Sequence, residues 1–368
     1  MGMVSSLSEK SCPQFLIGFG VVNAYVPGVI GASVTTGWLF LLLTLPILLF
    51  YCNIRITIVH ILGLLFLCYA TLSFAWTSNV NIAFFIYLQA ITVAIVFCIG
   101  SSLNNIKWFV IGCAVGLLPS DILATIQYFY KEPVVFTVQG NVAGLFVNKN
   151  IYCEVSAIIC ITLIVFKLWW YIPFTLPGIV YVHSRGAILG FATGLLVWLF
   201  KHNRLAFYSL SVTGLVVGSI YYIDNFSMIS VNERFAMWAD TIKGIKIFGQ
   251  GVGSFEITYP YYATNIDTSL SRPRFAHNDL IQAIYEFGIG SILLVISFYT
   301  ILKIKCDETI IIFSIIVMSM FNYTTHIPAS AFILFLVAGY VSRNLPAVCD
   351  MRNSRGSYIS KGFTTERN

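Results

Sequence analysis

A short segment around His277 combines side chains that could bind phosphate and move a proton. Arg272 and Arg274 precede His277, Asn278 follows it, and a long apolar stretch begins directly afterwards. Histidine can take a proton from a hydroxyl near neutral pH, and arginine binds phosphate through paired hydrogen bonds without losing its charge. The segment therefore predicts a phosphate-binding site with a general base. The alternative is an interfacial histidine with only a structural role.

Two further stretches place polar side chains at the starts of predicted helices. Ser184-Arg185-Gly186 opens one apolar stretch, where a charge close to hydrocarbon is costly unless it serves a ligand or a partner. Asn148-Lys149-Asn150 opens another, with Glu154 one turn inside it. Asparagine and serine at a helix start suit anion binding, and they also cap helices. Both interpretations remain open for Asn148 and Asn150.

The longest polar interval, residues 224–276, contains a predicted amphipathic helix. Residues 230–233 have the Ser-x-x-Glu form of a capping box, and Gly249 is the expected stop. Apolar side chains recur on one face, so the helix is expected to lie on a membrane surface; they are Phe235, Trp238, Ile242 and Ile245. Arg234 lies in its first turn, where it either serves the site or contacts lipid headgroups.

Three further features of this region have alternative interpretations. Gly249-Gln-Gly251-Val-Gly253 follows a helix instead of a strand, so it predicts a close backbone approach to a ligand or a packed helix, not a nucleotide loop. Residues 259–262, Tyr-Pro-Tyr-Tyr, fit an interfacial aromatic belt or a platform for sugar rings. Glu286 lies about two and a half turns beyond His277. An acidic side chain is rare at membrane depth, so Glu286 is either a functional residue or a partner in a structural ion pair.

The elements that position these side chains must be membrane helices. The chain has 368 residues, of which 58% are hydrophobic and 10% charged, with a mean hydropathy of +0.85. A soluble domain carries about 25% charged residues, so this composition excludes a water-soluble fold, a disordered chain and a disulfide scaffold. Continuous apolar runs replace the alternation of a membrane barrel. The predicted fold is an all-α polytopic membrane protein.

The apolar stretches predict about twelve transmembrane helices of roughly 20 residues each. They lie near residues 15–30, 36–53, 57–75, 82–100, 108–128, 151–168, 170–182, 187–200, 205–223, 279–302, 309–325 and 328–342. The positive-inside rule places both termini in the cytoplasm, with the cytoplasmic connections holding Lys10, Arg55, Lys107, Lys167, Lys201, Arg204, Lys303, Lys305 and Arg343. The net charge of +6 is therefore a topology signal and predicts no nucleic acid partner. The nine cysteines form no metal-binding motif.

Taken in order, these motifs resemble the O-antigen ligase and polymerase superfamily of bacterial envelope glycosyltransferases. The resemblance covers roughly residues 140–295 and rests on Gly144-x-Phe146-x-Asn148-x-Asn150, Ser184-Arg185-Gly186-Ala187, Glu233-Arg234 through Trp238, Gly249-x-Gly251-x-Gly253-Ser-Phe255, and His277-Asn278-x-Leu280 with Glu286-x-Gly288. It divides the chain into N-terminal transmembrane helices (1–139), a ligase-related core (140–295) with the loop 224–276, C-terminal transmembrane helices (296–344) and a cytoplasmic tail (345–368).

The resemblance implies a GT-C-type enzyme of the bacterial inner membrane, with one large periplasmic loop and its active site on the periplasmic side. The donor would be a glycan on undecaprenyl pyrophosphate. A ligase, which we favour, transfers that glycan to a sugar hydroxyl of lipid A–core, whereas a polymerase extends a lipid-linked repeat unit. No metal and no other cofactor is implied. The chain is shorter than many members, so a trimmed acceptor site is expected.

The resemblance also assigns roles to the residues. His277 would be the general base, and Arg185 and Arg234 would bind the pyrophosphate. The supporting residues would be Arg272 and Arg274 as further phosphate or acceptor contacts, Asn278, Asn148 and Asn150 as groups that orient the sugar or His277, and Glu286. A rival from another class is a lipid-linked oligosaccharide flippase or transporter, for which Asp121 beside Pro119 is the interior acid.

Overall fold

The computed structural model of the protein is helical almost throughout the part of the chain it describes. The described residues are 11–23, 38, 52–130, 142–146, 148–225, 229–264 and 273–350. Most of the predicted stretch 36–53, Arg272 and most of the tail lie outside these ranges. Two short strands, β1 (Arg55–Ile56) and β2 (Cys349–Asp350), form an antiparallel pair. The predicted all-α class is confirmed.

Four helical segments are long and apolar enough to cross a membrane, counted over the described residues. They are Ile58–Trp76, Val80–Ser102, Lys107–Tyr130 and Asp279–Leu302. The helices are α1 (Ser11–Asn23), α2 (Ile58–Leu72), α3 (Val80–Ser102), α4 (Lys107–Gly116), α5 (Leu118–Tyr130), α6 (Lys149–Val165), α7 (Leu176–Val180), α8 (Arg185–His202), α9 (Arg204–Asn225), α10 (Ile229–Lys243), α11 (Phe255–Thr258), α12 (Asp279–Phe287), α13 (Ser291–Leu302), α14 (Thr309–Ser319) and α15 (Pro328–Ser342).

Proline explains why the stretch 170–182, predicted as one transmembrane helix, is irregular. A 3₁₀ helix covers Trp169–Thr175 and contains Pro173, and α7 follows with Pro177 in its first turn. Proline cannot donate a backbone hydrogen bond, so it interrupts a helix interior but is tolerated in a first turn. The stretch is therefore two short helical pieces instead of one regular helix.

Helix α6 lies at the centre of the bundle. Every side chain from Ile151 to Val165 is buried, and the helix packs against α4, α8, α14 and α15. A helix that is apolar on all sides must be surrounded by protein or lipid, and here it is surrounded by protein. Glu154 is therefore carried into the interior, close to the starting end of the helix.

Glycine sets the distance between α3 and α15. A Cβ atom at Gly339 would lie 2.1 Å from the Phe97 carbonyl oxygen, and one at Gly100 would lie 2.2 Å from the Leu336 carbonyl oxygen. Small residues of this kind let the backbones of membrane helices approach closely.

Gly339→Ala should therefore lower the thermal unfolding temperature of the purified protein in detergent. The added methyl group cannot fit unless the two backbones move apart, and overpacking of this kind costs about 1–3 kcal/mol. Gly63→Ala is the matched control, because a Cβ there would have nothing within 4 Å. Equal unfolding temperatures for the two variants would contradict the packing described.

Basic residues gather at one end of the bundle. Arg55 donates to the Arg343 carbonyl oxygen at 3.4 Å, and Arg343 donates to that of Leu103. Lys201 and His202, at the end of α8, both bind Asp307. Since α8 starts at Arg185, the opposite end of the bundle holds Arg185; we call the two ends the basic end and the Arg185 end.

The predicted amphipathic helix is present as α10, with different bounds. It begins at Ile229, so Ser230 lies inside its first turn, and it ends at Lys243 instead of at Gly249. Beyond its end the chain folds back onto the helix, where the Thr264 N–H donates to the buried Asp240 carboxylate at 3.1 Å.

The two sides of α10 differ in exposure. Phe235, Ile242 and the following Ile245 are exposed, whereas Asp240 and Thr241 are fully buried. These three side chains face away from the protein, as expected of a helix on a membrane surface. The fourth member of the predicted apolar face, Trp238, is instead half-buried and donates to the Ala276 carbonyl oxygen.

Candidate functional site

The starts of three helices meet at the turn between α14 and α15, which we call the 320–327 turn. Each of α6, α8 and α12 contacts this turn close to its own first residue. From α8, Gly186 packs against Phe321, and a Cβ atom added at Gly186 would lie 3.1 Å from the Phe321 Cβ. From α6, Glu154 accepts a hydrogen bond from the Asn322 side chain. From α12, Asp279 accepts one from the Thr325 N–H at 2.8 Å. Helix starts carry partial positive charge, and at two of these three starts the carboxyl groups of Glu154 and Asp279 already lie close to it.

Arg234 and Arg185 lie close to each other beside this turn. Arg234 donates through Nη1 to the Phe321 carbonyl oxygen at 2.7 Å. Burial, and then the positive charge of Arg185, hold the pKa of Arg234 below its usual range. Like charges in proximity destabilise each other, and an anion with several oxygens would relieve that repulsion. Among the described residues, no carboxylate forms an ion pair with Arg234.

His277 belongs to the same group of side chains. Its ring meets Tyr323 edge to face, with centroids 5.0 Å apart, and its Nδ1 atom is buried with no hydrogen-bond partner in the described part of the chain. Burial, and then the charge of Arg234, lower the pKa of His277 to about 4, while the Asn322 side chain acts in the opposite direction. The imidazole is therefore neutral at pH 7 and able to accept a proton.

The backbone at His277 is held in an unusual conformation. Its φ is 52°, a left-handed value that is uncommon outside glycine and costs free energy unless the surroundings impose it. The residue before it, Ala276, is hydrogen-bonded through both of its peptide groups. The Ala276 carbonyl oxygen accepts from Trp238 Nε1 at 2.8 Å, and the Ala276 N–H donates to Gln282 Oε1 at 3.0 Å.

Glu286 does not take part in the described contacts of the arginines. Its carboxylate accepts from the Gly253 N–H at 2.9 Å and from Gln282 Nε2 at 3.2 Å. Of the two roles left open for this acid, the structural ion pair is absent from the described residues. Glu286 joins the glycine turn to helix α12.

The glycine turn, residues 249–253, approaches protein and not an open site. Gly249, Gly251 and Gly253 have φ values of 75°, 97° and 66°, and a Cβ at Gly249 would lie 2.2 Å from the Glu286 carbonyl oxygen. Four successive N–H groups, from Gln250 to Gly253, already donate to the carbonyls of Tyr285 and Glu286, to Ser73 Oγ and to the Glu286 carboxylate. The turn therefore has no N–H groups left for phosphate along these residues.

The asparagines cap their helices. Asn278 accepts from the Ile281 N–H at 3.0 Å, and Asn148 accepts from the Asn150 N–H at 2.8 Å. Asn278 thus starts α12 directly after His277, which fixes where the histidine can lie. Asn150 is half-buried on α6, one turn before Glu154 and on the same helical face.

Arg274 is not brought into contact with the other predicted arginines. Its side chain is 71% exposed and lies 3.4 Å from Glu256, a surface pair. Such pairs contribute about 0–1 kcal/mol. Arg272 lies outside the described residues.

The tyrosines at 259–262 do not form a three-ring platform. Tyr259 is fully buried against Phe255, with centroids 5.1 Å apart. The Tyr262 hydroxyl accepts from Gln250 at 3.0 Å, and Tyr261 is 80% exposed. Tyr261 alone of the three presents a largely free ring.

The sequence analysis missed the residues of the 320–327 turn. The stretch 309–325 was predicted to span the membrane, but α14 ends at Ser319, and Asn322 and Tyr323 lie in the turn beside His277. The missed signal was the polar run Asn322-Tyr-Thr-Thr-His326 between two apolar stretches. Asp121, the interior acid of the transporter interpretation, accepts from the Tyr152 hydroxyl at 2.5 Å.

Comparison with known proteins adds no assignment. No protein-family model and no curated protein matches the chain. Within the described residues, no group of three His, Cys, Asp or Glu side chains could hold a metal ion.

Proposed function

We propose that the chain is a membrane glycosyltransferase of the O-antigen ligase kind. The observation that carries the proposal is the pair Arg185 and Arg234 beside a neutral His277. Two guanidinium groups suit a pyrophosphate, which offers many oxygens and two or more negative charges. A neutral imidazole next to them suits the removal of a proton from an attacking hydroxyl.

The reaction follows from these positions. The donor pyrophosphate binds to Arg185 and Arg234, and a sugar hydroxyl of the acceptor approaches His277. As the hydroxyl oxygen bonds to the anomeric carbon, its proton passes to the imidazole and the bond between that carbon and the pyrophosphate oxygen breaks. The leaving undecaprenyl pyrophosphate carries its negative charge onto the arginines, which stabilises the transition state. Attack opposite the leaving group inverts the anomeric centre.

The proposal includes a GT-C-type architecture of twelve transmembrane helices in a bacterial inner membrane, with both termini cytoplasmic. The separation of the basic end from the Arg185 end supports it, because positively charged connections remain in the cytoplasm. The site would then face the periplasm, where lipid-linked glycans are presented. The exposed apolar side of α10, with Phe235 and Ile242, would lie in the periplasmic membrane surface.

Deletion of the gene should leave bare lipid A–core, with long glycan accumulated on its polyprenyl carrier. One gel of lipopolysaccharide and an extraction of lipid-linked glycan measure this. Core capped by a single repeat unit would instead assign the polymerase reaction. Repeat units retained on the cytoplasmic side would contradict transfer and support the flippase.

A further inference from the structure

We infer that Glu286 and Gln282 position His277 through a chain of hydrogen bonds that begins at the glycine turn. The chain runs from the Gly253 N–H to Glu286, from Gln282 Nε2 to Glu286, and from the Ala276 N–H to Gln282 Oε1, with lengths of 2.9, 3.2 and 3.0 Å. Ala276 is bonded directly to His277 through the main chain. The inference rests on the proposed function in one respect: a transfer assay can test it only if the protein transfers glycan.

All members of the chain are buried. Gln282 and Glu286 are 4% and 3% exposed, and Ala276 is fully buried. Buried hydrogen bonds of this kind are not exchanged for bonds to water, and leaving one donor without an acceptor costs about 1–3 kcal/mol. The positions of these groups are therefore coupled.

The direction of the chain is fixed by its two ends. The Gly253 N–H and the Ala276 N–H are both donors, so both ends of the side-chain pair must present acceptors. Gln282 supplies one acceptor and one donor, and only a group that accepts on both sides can complete the chain. A carboxylate does this at position 286, whereas a carboxamide cannot.

The chain acts on the histidine through Ala276, the residue before it. Gln282 holds the N–H of the peptide that enters Ala276, and Trp238 holds the carbonyl oxygen of the peptide that leaves it. With Ala276 held on both sides, the main chain enters His277, whose φ is left-handed, in a fixed direction. Glu286 and Gln282 are thus positioning residues: they touch neither the arginines nor the reacting atoms of the proposed mechanism.

Two substitutions test the chain by inverting and then restoring its direction. In Glu286→Gln, one carboxamide N–H must face another donor, either at Gly253 or, through a rotated Gln282, at Ala276. In the exchanged double variant Gln282→Glu/Glu286→Gln, the carboxylate at position 282 accepts from Ala276 and from the carboxamide at position 286, whose oxygen accepts from Gly253. The exchange conserves charge, composition and the three hydrogen bonds of the chain. Glu256→Gln is the matched control on the surface.

The rate at which diethyl pyrocarbonate modifies His277, measured by peptide mass spectrometry on the purified full-length protein, reports the result. We expect at least a threefold faster modification in Glu286→Gln, because the segment is released, and the wild-type rate in the double variant and in Glu256→Gln. An unchanged rate in Glu286→Gln, or a rate that the exchange does not restore, would overturn the inference. If Glu286→Gln does not fold, the double variant decides alone: folding with the wild-type rate supports the inference, and failure to fold overturns it.

A transfer assay in the same variants separates this inference from the proposed function. We expect kcat to fall about 10–100-fold in Glu286→Gln, since small displacements of a reacting group cost this much, with KM changed less than kcat. The double variant should recover kcat, which a loss of packing alone would not do. If the wild type shows no transfer, the proposed function fails, while the modification rates still test the chain.

Discussion

Replacing His277 by alanine should lower the rate of glycan transfer by about 10²–10⁴-fold, the usual contribution of a general base. In the proposed reaction, the acceptor hydroxyl would lose the neutral imidazole that lies beside Arg234. Transfer is measured with purified protein and lipid-linked glycan, and folding is checked by thermal unfolding. His202→Ala, at the basic end, is the matched control and should retain full activity.

The pH dependence of the wild type tests the same assignment. Only the neutral imidazole accepts a proton, so kcat/KM should rise with pH through the pKa of His277, which burial and Arg234 lower to about 4. Between pH 6 and 8 this group should therefore cause no change. A rise centred near pH 6.5, the ordinary value for histidine, would contradict the buried environment described.

Replacing Arg234 by alanine should reduce transfer by about 10²–10³-fold, the effect of removing one group that stabilises charge in a transition state. It should also move the acid limb of the pH profile to higher pH, because the charge of Arg234 holds the pKa of His277 down. A structural role of Arg234 alone would not produce that shift. Arg234→Lys keeps a charge without the planar fork, so its activity should lie between the two.

Arg274→Ala is the control for this prediction. Arg274 is largely exposed and pairs with Glu256, so its loss should change transfer by less than about twofold, in line with the small energies of surface pairs. Equal losses of transfer activity in Arg234→Ala and Arg274→Ala would show that only the overall positive charge matters. The assignment of pyrophosphate binding to the pair Arg185 and Arg234 would then be wrong.

The sequence predicted those features of the fold that depend only on residues close together in the chain. The exposure of Phe235 and Ile242 on α10 could be predicted because their spacing matches the helical period, whereas Trp238, expected on the same face, bonds inward to Ala276. The close approach at Gly249 could be predicted because only glycine avoids the cost of a left-handed backbone next to another chain segment.

The composition of the site could be predicted only in part, because distant segments form it. Arg185, Arg234 and His277 were chosen for their chemistry, and the structure brings them together. Asn322 was assigned to a membrane span, since a short polar run next to a largely apolar helix of eleven residues hardly lowers an average taken over about 19 positions. Nothing in the sequence shows that Gln282 bonds to Ala276, because a hydrogen bond depends on side-chain direction as well as on residue type.

Helix α10 joins the lipid environment to the chemistry. The same helix exposes Phe235 and carries Arg234, which bonds to Phe321, and the Trp238 indole, which bonds to Ala276 and contacts the Phe235 ring. A change in bilayer thickness or lateral pressure that tilts α10 must therefore move a guanidinium group and the peptide before His277 together. The rate of glycan transfer by this protein in nanodiscs should therefore depend on the acyl-chain length of the lipids, although the central helix α6 is buried in protein.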